Sequence, residues 1–306
     1  MAVNHHLVME SASVDEGSSA HLSFYRFSFF FLISLLTWSE INTDEASLRV
    51  NPKANNQTAM STSAAQPVKK KKKKIYLTFD DGPNKGTRNV LDILQQENVP
   101  ATFFIVGEHV FGSRAQAQTW DNLQSARNIE ICNHSYSHAL HNRYAKFYKN
   151  PEAVVKDIER TKEKLLPDDE IVRTPGRNSW RIDSMHFTDI KKSKAAIDSL
   201  QKAGFIVVGW DLEWQYDPKT LIIKNSADQL LAQVDSVFNN GKTRTPDNLV
   251  LLAHDQAYRT KDDSLQLREF VQKLKEKDEY ELSLVNSYPG VTKIIHLPKT
   301  KSAPTQ

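Results

Sequence analysis

Two histidines four residues apart, His134 and His138 in His134-Ser135-Tyr136-Ser137-His138, and an adjacent acidic pair, Asp80-Asp81, are the residues of this chain best suited to metal chemistry. Histidines at that spacing on a helical turn project from one face and can share one cation. A carboxylate completes a facial set of two nitrogens and one oxygen, and a pair of aspartates offers one oxygen for the metal and a second carboxylate free as a base. Further polar groups follow short apolar runs: Arg173 after Ile171-Val172, Asp211 after Phe205–Trp210, and His254 after Leu249–Ala253. The single cysteine, Cys132, excludes an intramolecular disulfide and a thiolate-rich zinc site, so a metal here must use imidazole and carboxylate. Cys132 itself reads as a small buried hydrophobe.

Residues so far apart in sequence converge only if the elements carrying them share an end. From Ile75 onward, short apolar runs alternate with amphipathic segments, the pattern of a β/α domain. Strands are predicted at Ile75–Phe79, Thr102–Val106, Ile129–Cys132, Ile171–Val172, Phe205–Trp210, Leu249–Ala253 and Lys293–Leu297, about seven in all. Helices are predicted at Thr87–Gln96, Pro151–Leu165, Phe187–Ala203, Ser226–Phe238 and Ser264–Lys275, with apolar positions such as Val154, Ile158 and Leu165 at helical spacing. In a β/α barrel the C-terminal ends of the strands open on one face, which would gather the polar clusters into one site.

In their order and spelling these clusters resemble the polysaccharide deacetylases of carbohydrate esterase family 4, the NodB-homology domain. Thr78-Phe79-Asp80-Asp81-Gly82-Pro83 and Asn133-His134-Ser135-Tyr136-Ser137-His138 match the first two family motifs. Arg173-Thr174-Pro175-Gly176, Trp210-Asp211-Leu212-Glu213-Trp214 and Leu252-Ala253-His254 resemble the remaining three, and the likeness covers about residues 75–297. It implies an α/β fold, a distorted (β/α) barrel of NodB-homology type. It further implies that Asp81, His134 and His138 bind a divalent metal, Zn2+ first, with Co2+, Ni2+ or Mn2+ fitting the same ligands. Asp80 would be the general base with Arg173 orienting it, and His254 the general acid supported by Asp211. Pro175 and Gly176 would form the turn whose Gly176 N–H helps bind the oxyanion, while Trp214 and Leu252 wall the groove, Leu252 against the acetyl methyl. The chain departs from the family pattern at Gly176, where an aromatic is usual and a groove wall is therefore expected to be missing, and at Glu213, where aspartate is frequent.

The implied reaction is metal-dependent removal of N-acetyl groups from an N-acetylhexosamine polysaccharide such as peptidoglycan, a chitin-like oligomer or an exopolysaccharide. O-acetyl ester or small-amide hydrolysis would use the same groups. A catalytically silent glycan-binding domain predicts loss of Asp80, a metal ligand or His254, and all are present. His141 reads as a surface histidine, Trp180 as either a sugar-stacking ring or loop packing, and His109, Trp120 and His296 as core or surface residues.

Residues 1–38 contain an apolar run, Phe24–Trp38, expected to be a signal or membrane-anchor segment; its uninterrupted part is short of the roughly 20 residues of a spanning helix. Residues 39–74 read as a flexible linker ending in the lysine run Lys69–Lys74, residues 75–297 as the catalytic domain and 298–306 as a tail. The formal charge is +3, but those six lysines leave −3 on the rest, so no basic field points to nucleic acid. The lysine run suits contact with an anionic membrane or cell-wall surface, and the expected location is the cell envelope or the exterior.

Overall fold

A computed structural model of the chain describes residues 71–295. The apolar run at Phe24–Trp38, the linker up to Lys70, His296, Leu297 and the tail lie outside the described residues. Ten strands form one sheet among the described residues: β1 (Lys73–Gly82), β2 (Ala101–Ile105), β3 (Ile129–Asn133), β4 (Ile171–Val172), β5 (Ser179–Ile182), β6 (Met185–Thr188), β7 (Ile206–Val207), β8 (Leu212–Glu213), β9 (Asn248–His254) and β10 (Tyr280–Leu282). Their order is β6-β5-β7-β4-β3-β2-β1-β9-β8, with β10 also on β1. Pairing is parallel except around β5, which runs antiparallel to β6 and β7. The distorted barrel expected from the motifs is present, with more strands than the seven predicted.

Burial explains the central position of β1. Residues Ile75 to Gly82 are buried without alternation, as a parallel strand covered on both faces requires. The helix Lys85–Glu97 buries Val90, Leu91, Ile93 and Leu94, and starts at Asn84, whose side chain accepts from the N–H of Gly86 and Thr87. The helix Pro151–Leu165 has the predicted ends, with Asn150 as cap and proline in its first turn. No helix among the described residues is long and apolar enough to cross a membrane.

Three elements differ from expectation. The strand predicted at Lys293–Leu297 is instead a short helix, Val291–Ile295, because the chain turns at Gly290 (φ 92°) and Ile294 N–H bonds back to its carbonyl. A strand that was not predicted, β10, pairs in register with Lys73–Ile75. The helix predicted over Phe187–Ala203 shrinks to Lys194–Lys202, since Met185–Thr188 forms a hairpin with Ser179–Ile182. The fully buried Trp180 drives that hairpin into the core against Tyr288, ring centroids 5.5 Å apart, so it packs the loop rather than facing a sugar. Finally, the domain begins inside the lysine run: Lys73 and Lys74 are strand residues whose amines lie 3.9 and 3.8 Å from Glu279 and Glu281.

Candidate active site

Adjacent residues of a regular strand face opposite ways, so Asp80 and Asp81 reach one cleft only if the strand is interrupted. It is interrupted: Asp80 pairs with Phe104 and Gly82 with Ile105, which leaves Asp81 as an extra residue with φ 78°. A bulge of this kind re-aims a side chain. The Asp81 carbonyl oxygen lies 2.8 Å from His109 Nδ1, and Gln256 donates its amide to Asp81 Oδ2 at 3.2 Å and to the Tyr216 hydroxyl at 3.0 Å. Asp81 Oδ1 is buried without a hydrogen-bond partner. It faces His134 Nε2 at 3.4 Å and His138 Nε2 at 3.1 Å, and one donor atom of each of the three residues lies within 4.8 Å of the others. An orphaned carboxylate oxygen between two imidazole nitrogens is a donor set that fits a divalent cation.

The electrostatics agree with that fit. Burial pushes the Asp81 carboxyl upward, but the two imidazoles beside it more than reverse this and hold it well below the usual carboxylate range. Burial likewise disfavours charge on His138, yet the Asp81 carboxylate raises its imidazole above the ordinary value. His134 Nδ1 donates to the Arg173 carbonyl at 2.9 Å, which fixes the tautomer and leaves the Nε2 lone pair available to a cation. The expected helical turn is absent, however. His134 sits just past β3, and His138 opens a left-handed turn in which residues 138–142 all have φ between 46° and 65°. Asp157 Oδ2 accepts the N–H groups of Tyr136 and Ser137 at 3.1 Å, and Ser137 Oγ accepts that of Leu140, which holds the turn in place. Because Gln256 occupies Oδ2 and so presents Oδ1 to the histidines, Gln256→Leu is expected to weaken divalent-metal affinity about tenfold, read by competition titration.

Asp80 is 2% exposed and Arg173 fully buried. Arg173 Nη1 donates to Asp80 Oδ1 at 2.8 Å and Thr78 Oγ1 at 2.7 Å, while Nη2 and Nε donate to the carbonyls of Gly209 and Val208 at 2.9 and 3.3 Å. Asp80 Oδ2 stays free of the guanidinium, 3.7 Å from His134 Nε2. His254 stands opposite on β9, in register with Asp80.

Two residues expected at the site by resemblance are elsewhere. Asp211 does not support His254: its carboxylate accepts the backbone N–H of Arg244 and Val250 at 2.7 and 2.8 Å, and burial pushes it up to about 6. The carboxylate beside His254 is Glu213, with Oε1 3.9 Å from Nδ1, because β8 pairs Glu213 with Leu252 and so aims it toward the end of β9. Trp214 does not wall the groove. It is 2% exposed, packs on Tyr258 and Phe270, and donates its indole N–H to the Asn225 carbonyl. The cleft, of about 690 Å³, is lined instead by Trp210, Tyr216, Tyr144 and Leu252. Gly176 lies at its edge, and the Pro175 carbonyl accepts the Tyr148 hydroxyl at 2.7 Å. His141 is an exposed rim residue 3.1 Å from Glu108, and Cys132 is fully buried.

Sequence reasoning missed Gln256, Tyr216 and Tyr144, and the roles of Glu213 and His109. Of these only Glu213 carried a signal, its place in the fourth motif two residues beyond Asp211. Another buried acid, Asp255, ties the end of β9 to the turn after β1 through Asn84 and Thr87. Burial pushes it up to about 8. Between pH 4 and 8 the folded chain therefore holds a proton that the unfolded chain has released, and this group's contribution to stability falls as pH rises. Asparagine mimics the protonated acid, so the stability of Asp255→Asn relative to wild type is expected to rise from pH 5 to pH 8 by up to about 1.4 kcal/mol per unit. Denaturant unfolding with chelator present measures this.

Comparison with known proteins agrees with the motif reading. The polysaccharide deacetylase family model matches residues 67–168. The chain is 24% identical to a chitin disaccharide deacetylase of Vibrio alginolyticus over 54% of this chain and 54% of the relative. It is 30% identical to a peptidoglycan-N-acetylglucosamine deacetylase of Bacillus cereus, over 61% of each. The chain thus spans little more than half the length of these curated relatives. Among solved structures, a CE4 esterase of Streptococcus mutans superposes with a TM-score of 0.51 at 23% identity, covering 70% of this chain and 86% of that one. That likeness bears on the fold.

Proposed function

From the premise that this chain resembles the polysaccharide deacetylases in its motifs and shares their fold, we propose that it is a metal-dependent hydrolase removing N-acetyl groups from N-acetylhexosamine polysaccharides. The observation that carries the reading is the buried, unpartnered Asp81 Oδ1 between His134 Nε2 and His138 Nε2, with the free oxygen of Asp80 alongside. A divalent cation, Zn2+ first and Co2+, Ni2+ or Mn2+ in the same ligands, would supply Lewis acidity toward a water and the acetyl carbonyl.

Asp80 Oδ2 takes the proton from the attacking water while Arg173 holds Oδ1 and fixes the carboxylate in place. Leu252, which lines the cleft, receives the acetyl methyl, and the Gly176 N–H donates to the developing oxyanion. His254, whose Nδ1 lies 3.9 Å from Glu213 Oε1, gives a proton to the departing amine. We assign residues 1–38 to a signal or membrane anchor, 39–72 to a linker and the chain from Lys73, where β1 begins, to the catalytic domain, with the enzyme in the cell envelope or outside the cell.

The test is acetate release from N-acetylglucosamine oligomers and from peptidoglycan, after chelation and after restoring zinc or cobalt. Release that vanishes with chelator and returns with metal is the expected result. Metal-loaded protein that releases acetate only from O-acetyl esters or small amides would overturn it.

A further inference from the structure

We infer that Tyr144 is the specificity-determining wall of this cleft, the surface on which the sugar ring lies while its acetyl group reaches Asp80 and the Asp81–His134–His138 cluster. The inference rests on the deacetylase reading and adds the feature that selects a pyranose over a small acyclic amide or ester.

Gly176 is the starting observation. It is exposed, with φ +61°, and a Cβ built on it would lie 2.8 Å from Tyr144 Cε1 and 3.1 Å from Cδ1 and Cζ. The space that a side chain at 176 would take is therefore filled by the Tyr144 ring, from the short helix Tyr144–Phe147. The groove wall expected to be missing at Gly176 is supplied from elsewhere in the chain.

The ring is also held still. It stands edge to face with His138, centroids 6.0 Å apart at 84°, and its hydroxyl donates to Asn142 Oδ1 at 2.9 Å. The Arg177 guanidinium lies 5.5 Å from its centroid, itself tied to the Gly176 carbonyl and Ser193 Oγ. A ring with its polar end satisfied offers an apolar body at little cost in side-chain entropy. Tyr144 lines the cleft together with Trp210 and Tyr216. The C–H face of a pyranose complements such a wall, and an acyclic acetyl compound has no such face to present.

The test uses the metal-loaded full chain and N-acetylglucosamine oligomers. Tyr144→Ala is expected to raise KM at least tenfold with kcat within threefold and metal affinity unchanged. Tyr144→Phe should keep wild-type KM, because the ring and not the hydroxyl makes the contact. Gly176→Ala, whose methyl displaces the ring, should raise KM in the same direction. A wild-type KM in Tyr144→Ala, or loss of metal affinity in parallel with KM, would overturn the inference, the latter by showing that the ring merely packs the His138 turn. If wild type releases no acetate from any oligomer, the deacetylase reading fails; calorimetric binding of the same oligomers to wild type and Tyr144→Ala then decides the wall separately, equal binding or none overturning it.

Discussion

Asp80→Asn is expected to bind divalent metal with wild-type affinity and yet release acetate roughly a thousandfold more slowly. The asparagine keeps an oxygen acceptor for Arg173 Nη1, which now reaches Asp80 Oδ1 at 2.8 Å, so the buried guanidinium stays partnered and the fold is preserved. The candidate metal donors Asp81, His134 and His138 are untouched. What disappears is the free carboxylate oxygen, 3.7 Å from His134 Nε2, that can accept a proton. His134→Ala makes the contrast: it removes a donor nitrogen, and both metal affinity and turnover should collapse. Metal titration and acetate release on the same preparations separate the two. Wild-type turnover in Asp80→Asn would refute the division of labour between the aspartates, and loss of metal affinity in that variant would make Asp80 a ligand.

Arg173→Met should be the most destabilising single change at the site, at about 3–5 kcal/mol by denaturant unfolding. Methionine roughly preserves the volume against Phe104, over whose ring the guanidinium lies at 4.1 Å. It leaves the 2%-exposed Asp80 carboxylate without its counter-charge and the carbonyls of Val208 and Gly209 without a donor. A buried pair broken on one side costs more than the pair contributes when whole. Asp80→Asn in the same background removes the stranded charge, so the double variant should recover part of the loss. If Arg173→Met unfolds at the wild-type denaturant concentration, the residue acts on the reaction alone.

The legible part of the fold consisted of elements with strong local patterns. The capped, periodic helix Pro151–Leu165 was read to its observed ends, and β1 was located by its apolar run but read two residues short at its start and three at its end. The hairpin of β5 and β6 and the strand β10 were not read. Their short segments carry little periodicity, and they are strands because a buried Trp180 and the edge of β1 stabilise them.

At the site, residue type and covalent spacing by themselves determined the chemistry: a cysteine-poor chain with an aspartate pair, two histidines and strand-end polar groups allows an imidazole–carboxylate metal centre and an acid–base pair. Which way each side chain points was decided only by the tertiary structure. A strand's side chains alternate with a period of two, so the bulge at Asp81 changes which residues share a face, and the two-residue β8 takes its direction entirely from pairing with β9. That is why both aspartates enter one cleft, why Glu213 and not Asp211 stands by His254 and why Trp214 is core; the ring beside Gly176 likewise comes from Tyr144, on the helix Tyr144–Phe147. These outcomes depend on contacts between residues distant in the chain, and local spacing carries no record of such contacts.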